Sequence, residues 1–295
     1  MGSATSYPSS DLCNLAPLIA LGSIVEPLAH PKPGAVTRLS AHPDKDIISF
    51  ALHSSAVSSA ALASCEASLR GLGDPILHGL RTYRRSLEGL GLRTNVGLGQ
   101  ALMVVPLSAA LPTSGPCPRS LAAEATRLVL SSSTEASAEY YRAIRVVSPS
   151  HLGRYRGSLP DVGGGEPGVG LGELLKSVRW DLVAWELTTG YPLTLKAVEA
   201  IGSSGGVSDA GVSIALAVVL TESGDTLIAR KWGVRAYLAS RAELITHSRA
   251  LGPVRAMELL DPPWRSRGWS PGSALDVVSA AIGLYLVSEA LSRLG

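Results

Sequence analysis

The chain has 295 residues, 46% of them hydrophobic and 17% charged, which is enough apolar material for a sizeable core and too much for a disordered chain. A net charge of +2 without any long basic run does not indicate nucleic-acid binding. Cys13, Cys65 and Cys117 lie far apart with no CxxC spacing, so neither a zinc site nor a disulfide framework is expected, only buried small residues.

No positive charge precedes Lys32, and Pro17 and Glu26 interrupt the apolar stretch from Leu15 to Leu28. That is not a secretory signal, and a cytoplasmic location is expected. Residues 46–70 are rich in Ala, Leu and Ser without period-two alternation, which predicts a helix. Helical spacing recurs at Leu121, Ala125, Leu128 and Val129, and over 134–147, where Tyr140, Tyr141, Ile144 and Val147 form a stripe. Further helices are predicted over 171–190, 207–221, 234–250 and 274–293, and no segment alternates like a strand. An all-α fold follows, with residues 1–295 in a single compact multi-helix domain. The longest apolar runs, 101–111, 212–220 and 277–287, fall short of the roughly 20 residues a bilayer requires, so they read as buried helices and no membrane is expected.

Between the helices, Pro31-Lys32-Pro33-Gly34, the cluster Gly153, Gly157 and Pro160, and Gly163-Gly164-Gly165 read as loops. The glycine run 163–172 lacks GxxxxGK[ST] and a preceding strand, which favours a surface loop over a phosphate loop. Only Asn14, Asn95 and Gln100 carry amide side chains. That scarcity suggests a hot-living source, although a GC-rich genome would also favour Ala, Gly and Arg.

Five polar stretches between apolar helices can carry chemistry. In His30–Arg38, two prolines stiffen the backbone around Lys32, which suits either phosphate binding or an ordinary turn; His42, Asp44, Lys45 and Asp46 follow. In Arg93-Thr94-Asn95-Val96-Gly97-Leu98-Gly99-Gln100, two of the three amides fall within six residues. Either Thr94 or Asn95 caps the next helix, or the amides bind a ligand at its N-terminus. Ser150–Val162 carries Arg154, Arg156 and Asp161, suited to an anionic ligand or to solvation. Asp225, after Ser223-Gly224, is either an N-cap or a Mg²⁺ ligand. Trp269–Asp276 is sufficiently explained as the start of the last helix. His53 and His247 read as packed or solvated helix-face residues, and no HExxH, GxSxG or kinase signature is present.

Taken in order, these loops resemble the triphosphoribosyl-dephospho-CoA synthase family. Its PKPG, AHxD and following Phe are matched by Pro31–Gly34, Ala41–Asp44 and Phe50, and its GDTNVxxRGG is similar to Gly224–Gly233. Its SPGGSADL is matched at Ser270, Pro271, Gly272 and Asp276. Its NTHKG appears as Arg93–Gly97, closer to the NTNLG of archaeal and one-carbon-metabolism relatives, as are Ala143-Ile144-Arg145 and Leu152-Gly153 through Asp161-Val162.

The resemblance implies an all-α enzyme that moves the 5-triphosphoribosyl group of ATP to the 2′-hydroxyl of 3′-dephospho-CoA and releases adenine. It implies Asp44 and Asp225 as catalytic carboxylates and ligands of Mg²⁺, with Lys32, Arg38, Arg93 and Lys231 on the triphosphate. His42, Thr94, Asn95, Arg154 and Arg230, in the matched loops, complete the implied substrate contacts. The His and Lys of NTHKG are Asn95 and Val96 here. That departure keeps two alternatives open: a nucleotide-binding relative without transfer activity, and a transferase acting on another ribose hydroxyl, including one in RNA. A homo-oligomer is compatible with the sequence.

Overall fold

A computed structural model describes residues 12–148, 157 and 159–292. Among the described residues the structure is helical, with two isolated bridges, Thr37 to Ser40 and His42 to Lys45, each closing a tight turn. After a 3-10 turn at Cys13–Leu15 come α1 (Ala16–Ala20), α2 (Gly22–Leu28), α3 (Ile47–Leu69), α4 (Pro75–Gly89) and α5 (Leu98–Ser114). Then follow α6 (Pro118–Leu130), α7 (Thr134–Val147), α8 (Leu171–Ser177), α9 (Leu182–Thr189) and α10 (Pro192–Ser203). The chain ends in α11 (Asp209–Ser223), α12 (Thr226–Leu251), α13 (Pro253–Ser266) and α14 (Gly272–Ser292).

One expected helix is interrupted, and the helix expected over 234–250 is preceded by a further helical stretch. The segment 171–190 divides because Asp181 accepts from the N–H groups of Val183 and Ala184 at 3.0 and 3.3 Å and so starts a new helix, α9. In α12 the backbone breaks at Gly233, whose φ of 83° only glycine adopts easily. Helices α4, α10 and α13 were not expected. Each opens with a proline in its first turn, where the missing N–H costs nothing, so punctuation marked a start rather than a loop.

The main core cluster runs from Cys13 to Val287, with α14 at its centre against α1, α2, α5, α10 and α11, and a small separate cluster joins Val36, Phe50 and Val96. Glycines permit the closest approaches: a Cβ at Gly283 would lie 2.1 Å from the Ile19 carbonyl oxygen, and one at Gly22 1.8 Å from that of Ser279. Truncating the fully buried Ile282 to Ala would cost roughly 2–5 kcal/mol.

The cysteine reading needs correction. Cys13 and Cys65 form a disulfide with Cα atoms 5.6 Å apart, while Cys117 is free and exposed. The pair is 52 residues apart in sequence and meets only because the first turns pack against α3. Closing a loop of that length stabilises the fold by about 4 kcal/mol in the chain-entropy description.

The membrane reading also changes in one respect. By length and composition, α3 and the Gly272–Ala290 part of α14 are each apolar enough to cross a bilayer. Counting uninterrupted apolar runs missed this because serines break the runs while mean hydropathy stays high. The α14 segment is 67% buried inside the bundle and the α3 segment 39%, leaving Ile48, Leu52 and Leu62 of α3 exposed.

Candidate active site

The N-termini of α5, α12 and α14, the turn between α8 and α9, and the loop 36–45 surround a cavity of about 690 Å³. Pockets of this size commonly bury one nucleotide-sized ligand. Apolar walls come from Phe50, Leu102, Ile144, Leu174 and Leu227. Charged and polar groups converge on one region: Glu26, Asp161, Asp181 and Asp276 with His42, Lys45, Arg230 and Lys231.

The cations are held apart by local structure. Lys45 Nζ donates to the Asn95 carbonyl at 2.9 Å, and Arg230 lies 3.7 Å from Asp181. Burial pushes the Lys231 ammonium down from its ordinary value, and the neighbouring positive charge of Lys45 adds to that. Asp44 offsets part of this repulsion, and a polyanion would relieve the rest.

Asp276 sits on the first turns of α14, facing Gly99 at the start of α5. A Cβ at position 99 would lie 2.1 Å from its Oδ2, so the glycine makes room for the carboxylate. Among the described residues, Asp276 has no hydrogen-bond or ion-pair partner. Burial raises its pKa well above the usual carboxylate range, and the negative charges of Glu26, Asp181 and Asp225 push the same way. Beside it, Glu26 is clasped by Lys32, whose Nζ also donates to the Glu26 carbonyl at 2.6 Å. Gln100 Nε2 donates to the other Glu26 carboxylate oxygen at 3.2 Å, while Gln100 Oε1 is buried without a hydrogen-bond partner among the described residues.

Of the residues assigned from sequence, His42, Asn95, Arg230 and Lys231 reach the cavity wall. His42 Nε2 donates to the Gly34 carbonyl at 2.8 Å, and Asn95 Oδ1 accepts from Leu98 N–H at 3.0 Å, so Asn95 caps the start of α5 as well. The others do not line it. Lys32, expected to present its ammonium from a rigid loop, is fully buried on Glu26, because the prolines fold the loop inward. Arg38 pairs with Asp209 through both terminal nitrogens, at 2.7 and 2.6 Å. Arg93 is exposed, and Thr94 is half-buried outside the cavity. Asp44 is largely exposed, 4.0 Å from Lys45. Arg154 lies outside the described residues.

Asp225 is the clearest correction of placement. It is fully buried, and its two oxygens accept from Ile228 N–H at 2.9 Å and Ala274 N–H at 2.8 Å, capping α12 and α14 together. Burial raises its pKa to about 6 despite these bonds. Neither oxygen is left facing the cavity. Among the described residues, no group of three or more His, Cys, Asp or Glu side chains is placed to hold a metal ion.

Sequence reasoning passed over Asp276, reading its segment as helix initiation alone. The signal was present: Asp276 is the only charged residue between Arg267 and Glu289, inside an otherwise apolar helix. Arg145, in the Ala143-Ile144-Arg145 motif, serves the site indirectly, its Nε donating to the Val162 carbonyl at 2.6 Å to fix the loop that carries Asp161.

Among curated proteins no sequence matches the chain significantly. Among solved structures, a protein from Archaeoglobus fulgidus described as a triphosphoribosyl-dephospho-CoA synthase superposes with a TM-score of 0.58 at 18% identity, over 77% of this chain and 96% of that one. That likeness shows a shared fold. The sequence model of the family described as CitG, ATP:dephospho-CoA triphosphoribosyl transferase, matches residues 13–294. A match along almost the whole chain, on a helical fold whose motif loops border one charged cavity, decides the assignment: the chain belongs to the CitG family of ATP:dephospho-CoA triphosphoribosyl transferases.

Proposed function

We propose that the 690 Å³ cavity is where the family's reaction takes place, with Asp276 as its central carboxylate. The single observation that carries this reading is a half-buried carboxylate that, among the described residues, has no hydrogen-bond or ion-pair partner and opens to a cavity that also holds three cations. In the reaction the C1′–N9 bond of ATP breaks, a C1′–O2′ bond to the acceptor ribose forms, and adenine leaves with a proton. Positive charge develops at C1′ as the glycosidic bond opens, and an adjacent carboxylate lowers the energy of that state. A carboxylate of raised pKa is also basic enough to take the proton of the attacking 2′-hydroxyl. In its ionised form Asp276 stabilises the cationic sugar and, as the C1′–O2′ bond forms, takes the hydroxyl proton, while Lys45, Arg230 and Lys231 hold the triphosphate.

Mg²⁺ fits this donor set better at Asp276 and Asp181 than at Asp44 and Asp225. After burial, the negative charges of Glu26, Asp181 and Asp225 help to raise the Asp276 pKa, and Mg²⁺ characteristically takes one or two carboxylates plus substrate phosphates. When bound it would neutralise part of the triphosphate charge; positioning and proton transfer remain with the side chains.

Incubating the protein with ATP and dephospho-CoA and quantifying free adenine by chromatography tests the reading. Adenine release that depends on the acceptor supports it. Release with no acceptor requirement, or none at all from folded protein, overturns it.

We also infer a homo-oligomer. The outer face of α3, with Ile48, Ala51, Leu52, Ser55, Ser59 and Leu62 exposed and uncharged, supports it, and light scattering in solution would test it. A hot-living source is supported by the scarcity of amides, and with such a source a cytoplasmic location is compatible with the buried disulfide, since intracellular disulfides occur in hyperthermophiles. A melting temperature in the ordinary mesophile range would count against it.

A further inference from the structure

A second, smaller pocket of about 330 Å³ adjoins the cavity across the α8–α9 turn, lined by Arg179, Trp180, Trp185 and Tyr237 among others. Trp180 lines both spaces. Two features of this pocket are unusual for a solvated surface. Trp180 and Trp185 are 58% and 36% exposed, so two indoles present open faces. Arg179 is exposed and, among the described residues, has neither an ion-pair nor a hydrogen-bond partner.

The remaining wall is built to stay in place. Tyr237 Oη donates to the Ser223 carbonyl at 2.6 Å, and its ring packs where a Cβ on Gly224 would come within 2.4 Å. On the cavity side, Thr226 Oγ1 accepts from Leu182 N–H at 3.1 Å and lies 3.2 Å from Ser273 Oγ, which fixes the turn between the two spaces.

Resting on the functional reading above, we infer that this pocket is the subsite for the acceptor's adenosine diphosphate portion, with the purine on Trp180 and Trp185 and the pyrophosphate at Arg179. The reaction requires two nucleotides, and a 690 Å³ cavity is sized for one. The donor's triphosphoribosyl group must be enclosed. The acceptor must place a ribose hydroxyl in the cavity while its purine and long arm extend outward, so its subsite must adjoin the cavity and open to solvent. Flat π-faces suit a purine, and an unpaired guanidinium suits a pyrophosphate.

Steady-state kinetics of Trp180→Ala, Trp185→Ala and Arg179→Ala test this, the exposed side chains making unfolding an unimportant outcome. The expected result is a KM for dephospho-CoA raised roughly tenfold or more, the scale of losing one stacked base, with KM for ATP within about twofold of wild type. Unchanged acceptor KM in all three variants overturns the inference, as does a rise in KM for ATP instead, which would place the donor's purine there. Quenching of indole fluorescence by dephospho-CoA in the wild type, weakened in Trp180→Ala, gives a readout that does not require turnover. It therefore separates failure of the subsite from failure of the functional reading: quenching that is absent, or unaltered by the substitution, sinks the subsite even in an active enzyme.

Discussion

Asp225, fully buried, and Asp276, half-buried, sit on either side of the same helix junction and both have raised pKa, yet their oxygens are engaged oppositely. Asp225 gives its two oxygens to the N–H groups that open α12 and α14, so its charge is used to hold two helix ends together. Asp276, on the first turns of α14, faces a cavity and has no partner among the described residues. Burial and a displaced pKa therefore do not by themselves identify a catalytic acid. Accounting for the lone pairs separates the two, because an acid already saturated by backbone donors has nothing left for a substrate.

The largest expected effect sharpens that contrast. Asp276→Asn should lower adenine release by about a hundredfold or more with the melting temperature nearly unchanged, as loss of a single electrostatic stabiliser commonly does. Wild-type turnover in the folded variant would return the search to Asp161 and Asp181.

Asp225→Asn should do the reverse. Asn offers one acceptor oxygen where Asp225 offers two, so either Ile228 N–H or Ala274 N–H would meet an amide donor. An unsatisfied buried donor costs about 1–3 kcal/mol, read in denaturant unfolding, with turnover per folded molecule reduced less than in Asp276→Asn. Equal loss of activity in the two variants, at unchanged stability, would break the comparison.

Lys231→Met should raise KM for ATP by about tenfold while leaving acceptor KM alone, because only the triphosphate side of the cavity loses a charge-assisted contact. An unchanged KM for ATP would remove Lys231 from the triphosphate site.

The smallest effect is in the pH dependence of stability. The Asp225 pKa is raised in the folded state, so its contribution is fully present below the unfolded value near 3.8 and is lost as pH rises through about 6. Asp209, held down by Arg38, has the opposite sign: its contribution is present above its unfolded pKa and lost as pH falls. The two terms act in different windows, Asp225's between about 3.8 and 6 and Asp209's below about 3.8. The stability gap between wild type and Asp225→Asn should therefore narrow as pH rises from about 4 through 6; a gap that widens would contradict the assigned sign.

Much of the architecture was legible in the sequence. Helical spacing located α7 at its observed bounds, α3 within one residue and α14 within two. Local chemistry also placed real caps: Asn95 and Asp225 both cap helices, one of the alternatives open for each. Family motifs marked loops that do gather around one cavity, among them those of His42, Asn95, Lys231 and Ser270.

The direction each side chain takes from those loops was not legible. Lys32 and Asp225 turn inward to satisfy buried groups, Arg38 turns outward to Asp209, and Asp276 alone among these is left open to the cavity. The same holds for the Cys13–Cys65 bridge, whose partners are 52 residues apart. Sequence determines periodicity, capping and punctuation because these depend on residues within a few positions of one another. Which polar group is satisfied and which stays free depends on donors brought together from distant helices, such as Ala274 N–H for Asp225 and Lys32 for Glu26, and only packing decides that.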